Sequence, residues 1–497
     1  MAGQARSVVL LGGLTASGAL SACVQVPAHP ASPARATPTA APPDAPASPE
    51  RAIVVTIASL TPVAYLGSPG SPPDMPFLAS RAAAGVAADS VDAVAPAAPR
   101  PVHATLLTGR LPSHHGVTGE LMLNEFGAAD PAPSDGFSPR GPTLVSAARE
   151  RGLRTALLGW PASAGLAADL TFPERYPADV APWPALLQTV ATPAIRDAAL
   201  KLGGDSPGAG QDGPQRDALL VGLVCETLRS APVPQLVLVH LSQTAAAVRA
   251  HGPDAPETRA SFSSVDTQLR RLVECVDAAG LGRRTAFFVA GDGGAEDVHA
   301  VLEPNVVLAE AGLVVPSRTS AFAVQRWAAY ARPAGGSAFV HAGKEADAVL
   351  ARRALSDAAA ATGAFRIVTA DEMVRRGADP EAWFGLDAEP GYQFGAGVQV
   401  PAVHAAAERG GAGYFSQSAR TAPGFVAFGA GVRERVRIPR MRQIDVAPTV
   451  ASLLGLSLDA PGDARSARAD GIPLVGALEN APTPGALKPV FTRGGSS

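Results

Sequence analysis

The sequence predicts an α/β fold, a mostly parallel sheet covered by helices on both faces. Short runs of apolar and β-branched residues recur at 53–58 (IVVTIA), 154–158, 235–241 (QLVLVHL), 284–290 (RTAFFVA) and 424–429 (GFVAFG). Runs without polar alternation suit strands buried on both faces. Helix-length segments lie among them at 76–85, 143–152, 217–229 and 257–280. Alternation of this kind favours parallel strands joined by crossover helices. Between about 304 and 403 the rhythm changes, and it returns to the main sheet at 424–429.

Composition supports a globular chain. Of 497 residues, 47% are hydrophobic and 17% charged, enough for a large domain with tails. The formal charge of −3, the lack of a dense Lys/Arg patch and the few aromatic residues argue against nucleic acid as a partner.

The ends read differently from the middle. Residues 1–23 form a targeting segment: Arg6 is the positive n-region, and 8–20 are an apolar stretch too short to span a bilayer. Leu20-Ser21-Ala22-Cys23 resembles a bacterial lipoprotein lipobox, which implies cleavage before Cys23 and lipidation of its thiol and new amino terminus. Several acyl chains on one residue anchor a protein stably. Val24 follows, without the Asp of an inner-membrane retention cue. The expected address is the bacterial cell envelope, lipid-anchored on an extracytoplasmic or periplasmic face, with the outer membrane favoured. Residues 24–50 are a Pro/Ala tether able to reach roughly 80 Å as extended polyproline II. The folded domain is expected over 51–460, and 461–497 as a loosely ordered low-complexity tail. Cys225 and Cys275 lie in helix-like apolar segments, as a disulfide pair of an exported protein or as two small buried thiols.

One stretch organises the domain. Residues 96–109 read P-x-x-P-x-P-x-H-x-T-L-L-T-G, followed by L-P-x-x-H-G-V-x-G at 111–119. This order resembles the nucleophile segment of the type I phosphodiesterase/nucleotide pyrophosphatase family of the alkaline phosphatase superfamily, whose members read P-T-x-T-x-P-N-H-x-T-L-x-T-G. The helix at 76–85, Gly159-Trp160-Pro161 after a helix and strand, and the closing QIDVAPTVASLLG at 443–455, with Asp445 or Thr449 at its cap, resemble the family too. The resemblance implies an alkaline phosphatase-like sheet between helix layers, with a small inserted subdomain at about 304–403. It also implies two zinc-like ions at the carboxyl ends of the strands, which would neutralise phosphate oxygens and activate a threonine.

The positions that should carry this chemistry are mostly changed. Pro99 stands at the nucleophile and Val102 at the phosphate-contacting Asn. Ser59 replaces the metal-binding Asp after the first strand, and no carboxylate occurs between Glu50 and Asp74. The second ion's Asp and His are Ala245 and Arg249. In the family's S-D-H-G-M, Asp292 is kept and the His is Gly293; in G-x-H-G-Y the His is Ala412. Of six ligand positions only Asp292 matches, and one carboxylate cannot hold two ions. His103 and His115 match positions that are more often structural. No cofactor is expected.

The function read from this pattern is a membrane-tethered, non-hydrolytic binding or scaffold module. Its partners would be the membrane through Cys23, and an anionic ligand or envelope protein. Arg249 is expected to neutralise Asp292, or else to point into solvent; Arg100 and Arg249 are the candidate anion contacts. The alternative is an active metal-dependent phosphodiesterase drawing ligands from His114, His115, His251 and His404.

Overall fold

A computed structural model describes residues 49–129, 138–174, 183–203, 213–459 and 468–479. Residues 1–48, with the expected signal segment, Cys23 and all of the expected tether but Pro49 and Glu50, lie outside the described residues.

The core is an eight-stranded sheet. Its strands, numbered here in chain order, are β1 (Arg51–Ile57), β2 (Val86–Ala88), β3 (Thr155–Leu158), β4 (Leu170–Phe172), β5 (Leu236–Leu241), β6 (Thr285–Gly291), β7 (Phe425–Gly429) and β8 (Val436–Ile438). They lie in the order β8-β2-β7-β6-β1-β5-β3-β4. Pairing is parallel except where β7 runs antiparallel to β6 and β2. The sheet is therefore the mostly parallel one expected.

Why the strand sequences lack alternation is visible in the packing. Ile53, Val55 and Ile57 of β1 face one helix layer, with Val237, Val239 and Phe287 beside them. Ala52 and Val54 face the other, with Leu236, Leu238 and Phe288. Helices Pro76–Ala84, Pro214–Arg229 and Pro256–Ala278 cover the first face, and Pro99–Thr108, Leu144–Glu150 and Val446–Leu454 the second. Both faces are buried, so strand positions favour apolar side chains.

The inserted segment folds around its own core. Strands Ala329–Pro333, Ser337–Ala342, Phe384–Ala388 and Phe365–Val368 form a four-stranded antiparallel sheet, covered by helix Glu345–Thr362. Buried Arg332 ties it to the main domain: its Nη2 donates to Thr118 O at 2.9 Å and pairs with Asp379 at 2.5 Å.

The cysteine alternatives resolve, and one expectation changes. Cys225 and Cys275 are joined as a disulfide, with Cα atoms 5.7 Å apart, because helices Pro214–Arg229 and Pro256–Ala278 pack side by side. Residues 468–479, expected in a loose tail, dock on the core. Asp445 Oδ1 accepts the Ile472 N–H at 2.9 Å, Thr449 Oγ1 accepts the Leu474 N–H at 2.9 Å, and Ala477 is buried. Asp445 is at the helix cap but makes no side-chain cap bond; its carboxylate serves this docking and Arg442. No helix among the described residues is long and apolar enough to cross a membrane.

Candidate functional site

Parallel pairing sets Ile57 of β1 beside Leu241 of β5 and Gly291 of β6. The residues that follow each strand therefore meet at one carboxyl edge, where ligands bind in sheets of this class. This register gathers the changed positions. Asp292 reaches Ser59 by hydrogen bond. A Cβ on Gly293 would sit 3.4 Å from Ala97 O, in the turn that leads to Pro99. Ala245 and Arg249 lie one turn apart on helix Gln243–His251, whose Arg249 O accepts the Arg409 N–H at 2.7 Å. Gly410–Gly411, just before Ala412, pairs with Glu296 and Asp297, just after Asp292.

Asp292 is almost fully buried, and one of its two oxygens is engaged locally. Its Oδ1 accepts the Ser59 N–H at 2.8 Å, and Ser59 holds a left-handed φ of 57°. Burial raises the Asp292 pKa to about 6, against the Ser59 hydrogen bond and the Arg249 charge, which lower it. Arg249 is thus a cation felt by Asp292, but its guanidinium is half-exposed and pairs with Glu408 at 3.7 Å.

Pro99 is the first residue of helix Pro99–Thr108. Proline is tolerated there, since the first-turn N–H has no intrahelical partner. The change removes the hydroxyl without cost to the helix. The next N–H, of Arg100, is the donor a helix N-terminus would offer an anion. Here it donates to Glu120 Oε1 at 2.6 Å, and the buried Arg100 side chain also bonds Glu120 O and lies 3.9 Å from Glu174. Arg100 is thus engaged by two glutamates. An internal carboxylate occupies the helix end, a feature with no motif in the sequence to announce it.

Two of the candidate histidines are built into the core. His103 is fully buried, its Nδ1 2.7 Å from Pro99 O and its Nε2 2.9 Å from Thr56 Oγ1 and 3.1 Å from His240 Nδ1. The ring packs edge-on to Trp160. Burial lowers its pKa to about 3, which keeps it neutral. His115 is buried against Thr105 and the Val117 N–H. His114 bonds Asp470 and His404 bonds Glu303, in separate parts of the chain, and His251 is exposed. Val102 is buried in the second helix layer.

Asp217 shapes the loop after β5. It is fully buried, and its two oxygens accept the Ser242 and Gln243 N–H groups at 2.9 and 3.2 Å. It fixes the start of the helix that carries Ala245 and Arg249. In the sequence it looks like one more polar residue of an amphipathic helix.

The donor set does not fit a pair of zinc-like ions. Serine, alanine, arginine, glycine and alanine stand at five ligand positions, and the remaining carboxylate already accepts a backbone N–H. Among the described residues, no group of three or more His, Cys, Asp or Glu side chains could hold a metal ion. Beside Ser59 lies a cavity of about 280 Å³ whose arginines are matched by acids: Arg259 with Asp74 at 2.9 Å, Arg420 with Asp254 at 2.8 Å.

This sheet, its helix layers and the convergence at its carboxyl edge define an alkaline phosphatase-like fold. The chain belongs to the type I phosphodiesterase / nucleotide pyrophosphatase family, whose model matches residues 62–405. The fold is similar to murine ectonucleotide pyrophosphatase / phosphodiesterase 5, at 17% identity and a TM-score of 0.57, over 83% of this chain and 97% of that one. An inactive form of the murine protein in complex with AMP gives the same identity and TM-score, over 85% and 99%. At this identity the likeness shows the fold alone. No curated protein matches the chain significantly. The chain is a phosphodiesterase-like member of this family with a degenerate metal site.

Proposed function

We propose that the protein is a non-hydrolytic member of its family, tethered to the bacterial envelope through lipidated Cys23 and acting as a binding or scaffold module without a metal cofactor. The observation that carries this reading is the bond from Ser59 N–H to Asp292. The single matching ligand serves as a local backbone acceptor, while Pro99 offers no nucleophile. The Cys225–Cys275 disulfide supports an exported, oxidising setting. Its ligands on this reading are an anionic molecule at the residual cleft or an envelope protein at the insertion.

The deciding experiment supplies the purified full chain with zinc and measures both bound metal and hydrolysis of an aryl phosphodiester. Neither stoichiometric metal nor turnover is expected. Bound metal together with chelator-sensitive turnover would overturn the proposal and favour the active hydrolase. Membrane tethering is tested separately by fatty-acid labelling in cells, which Cys23→Ser should abolish; labelling retained by that variant would refute lipidation at Cys23.

A further inference from the structure

A second cavity, of about 720 Å³, opens between the main domain and the insertion, and its charge is not balanced. Four arginines line it. Arg440 and Arg442 come from the main domain, where the short strands Val91–Asp92 and Met441–Arg442 pair in parallel. Arg375 and Arg376 come from the last turn of helix Ala370–Arg376 in the insertion. Among the described residues, Asp92 is the only acidic one in the lining.

Two of the four arginines have their carboxylates. Arg440 pairs with Asp92 at 2.9 Å and Arg442 with Asp445 at 2.6 Å. The other two do not. Arg376 donates Nη2 to Ala93 O at 3.3 Å, and its guanidinium lies 5.3 Å from the Phe415 ring centre. Arg375 is exposed and makes no ion pair with the described residues. The nearby carboxylate of Asp387 is already engaged by Arg366, the Phe415 and Ser416 N–H groups and the Ser416 hydroxyl. Burial lowers the Arg376 pKa, with Asp92 and Asp387 opposing. The wall between the pairs is stiff, because Gln417 is fixed by the Ala93 N–H at 2.9 Å and Val91 O at 2.5 Å.

The helix dipole accounts for an arginine at a helix C-terminus. It does not account for two more facing them from another part of the chain, in a protein of net charge −3. Guanidinium groups bind phosphate and carboxylate oxygens through paired, charge-assisted hydrogen bonds. The volume lies within the range of small-molecule sites.

We propose that the cavity walled by Arg375, Arg376, Arg440 and Arg442 is a binding site for a phosphate-bearing ligand with at least two negative charges, either a soluble phosphorylated molecule or the head group of an anionic phospholipid. The site is separate from the degenerate metal centre. An active hydrolase would carry the same cavity, so this inference and the non-hydrolytic reading can fail independently.

The test uses the full chain carrying Cys23→Ser, so that no acyl anchor contributes. One arm titrates pyrophosphate by calorimetry. The other measures co-sedimentation with 4:1 phosphatidylcholine:phosphatidic acid vesicles against phosphatidylcholine alone. Binding in the first arm identifies a soluble ligand class, and binding only in the second a head group. Arg375→Glu is exposed and leaves Arg376 on Phe415, so it tests the charge without disturbing the packing. It should weaken binding at least ~10-fold, the loss expected for one charge-assisted contact. Arg326→Glu, exposed elsewhere on the insertion, should leave binding unchanged. No binding in either arm, or equal losses in the two variants, would overturn the proposal.

Discussion

The Ser59 N–H donates to the Asp292 carboxylate at 2.8 Å, across a sequence separation of 233 residues. The bond holds Ser59 in the left-handed region, a conformation that costs an ordinary residue ~1 kcal/mol. What the family fold would use to bind a cation is used here to close a turn.

The raised Asp292 pKa makes this relationship measurable. The folded chain holds the proton more tightly than the unfolded one. The stabilisation is therefore full below about pH 4 and lost as pH rises through about 6. Asp292→Asn keeps an oxygen for Ser59 and removes the buried charge. It is expected to stabilise the protein by about 1–3 kcal/mol at pH 8 and by almost nothing at pH 4, read from urea denaturation at both values. A variant equally stable with the parent at pH 8 would refute the account.

The scaffold is expected to accept the missing ligands. Asp tolerates the left-handed backbone at Ser59 better than most residues. Ala245 and Arg249, at i and i+4 on one helix, share a face. A Cβ at Gly293 meets only ordinary contacts, the nearest at 3.4 Å, whereas one at Gly294 would strike Arg420 O at 1.9 Å. The combined change Ser59→Asp, Pro99→Thr, Ala245→Asp, Arg249→His, Gly293→His and Ala412→His should bring stoichiometric zinc, measured by elemental analysis after gel filtration. A folded variant that stays metal-free would show that more than the ligands has been lost.

Asp217 should be among the more costly polar positions. Asp217→Ala leaves the Ser242 and Gln243 N–H groups buried without an acceptor, an expected loss of about 2–4 kcal/mol. Asp217→Asn keeps one acceptor oxygen and removes a buried charge whose pKa burial raises to about 6, so it should lose much less at pH 7. Chemical denaturation at pH 7 gives both values; equal losses would contradict the role assigned to the acceptors.

The disulfide closes a loop with a sequence separation of 50. Chain entropy alone puts its contribution at ~4 kcal/mol, at the upper end of what disulfides commonly deliver. The Cys225→Ser/Cys275→Ser variant should therefore unfold at lower urea by about 2–4 kcal/mol, and reductant should shift the parent toward it. Insensitivity of the parent to reductant would place the cysteines apart in solution.

Much of the frame was legible in the sequence, because burial on both faces forces continuous apolar runs in β1, β5 and β6. The change of the family's nucleophile and ligand side chains was legible too, since Pro99, Ser59, Ala245, Gly293 and Ala412 lack those donor atoms whatever their surroundings. Tertiary structure alone decided what replaced it: Asp292 capping Ser59, Glu120 at the end of the Pro99 helix, Arg249 on Glu408, residues 468–479 docked on Thr449 and Asp445, and the arginine cavity beneath the insertion. Each of these joins residues from different elements of the chain. Local propensity and spacing say which atoms a segment carries, but only the register of a parallel sheet and the packing of its crossovers determine which distant donor each acceptor meets.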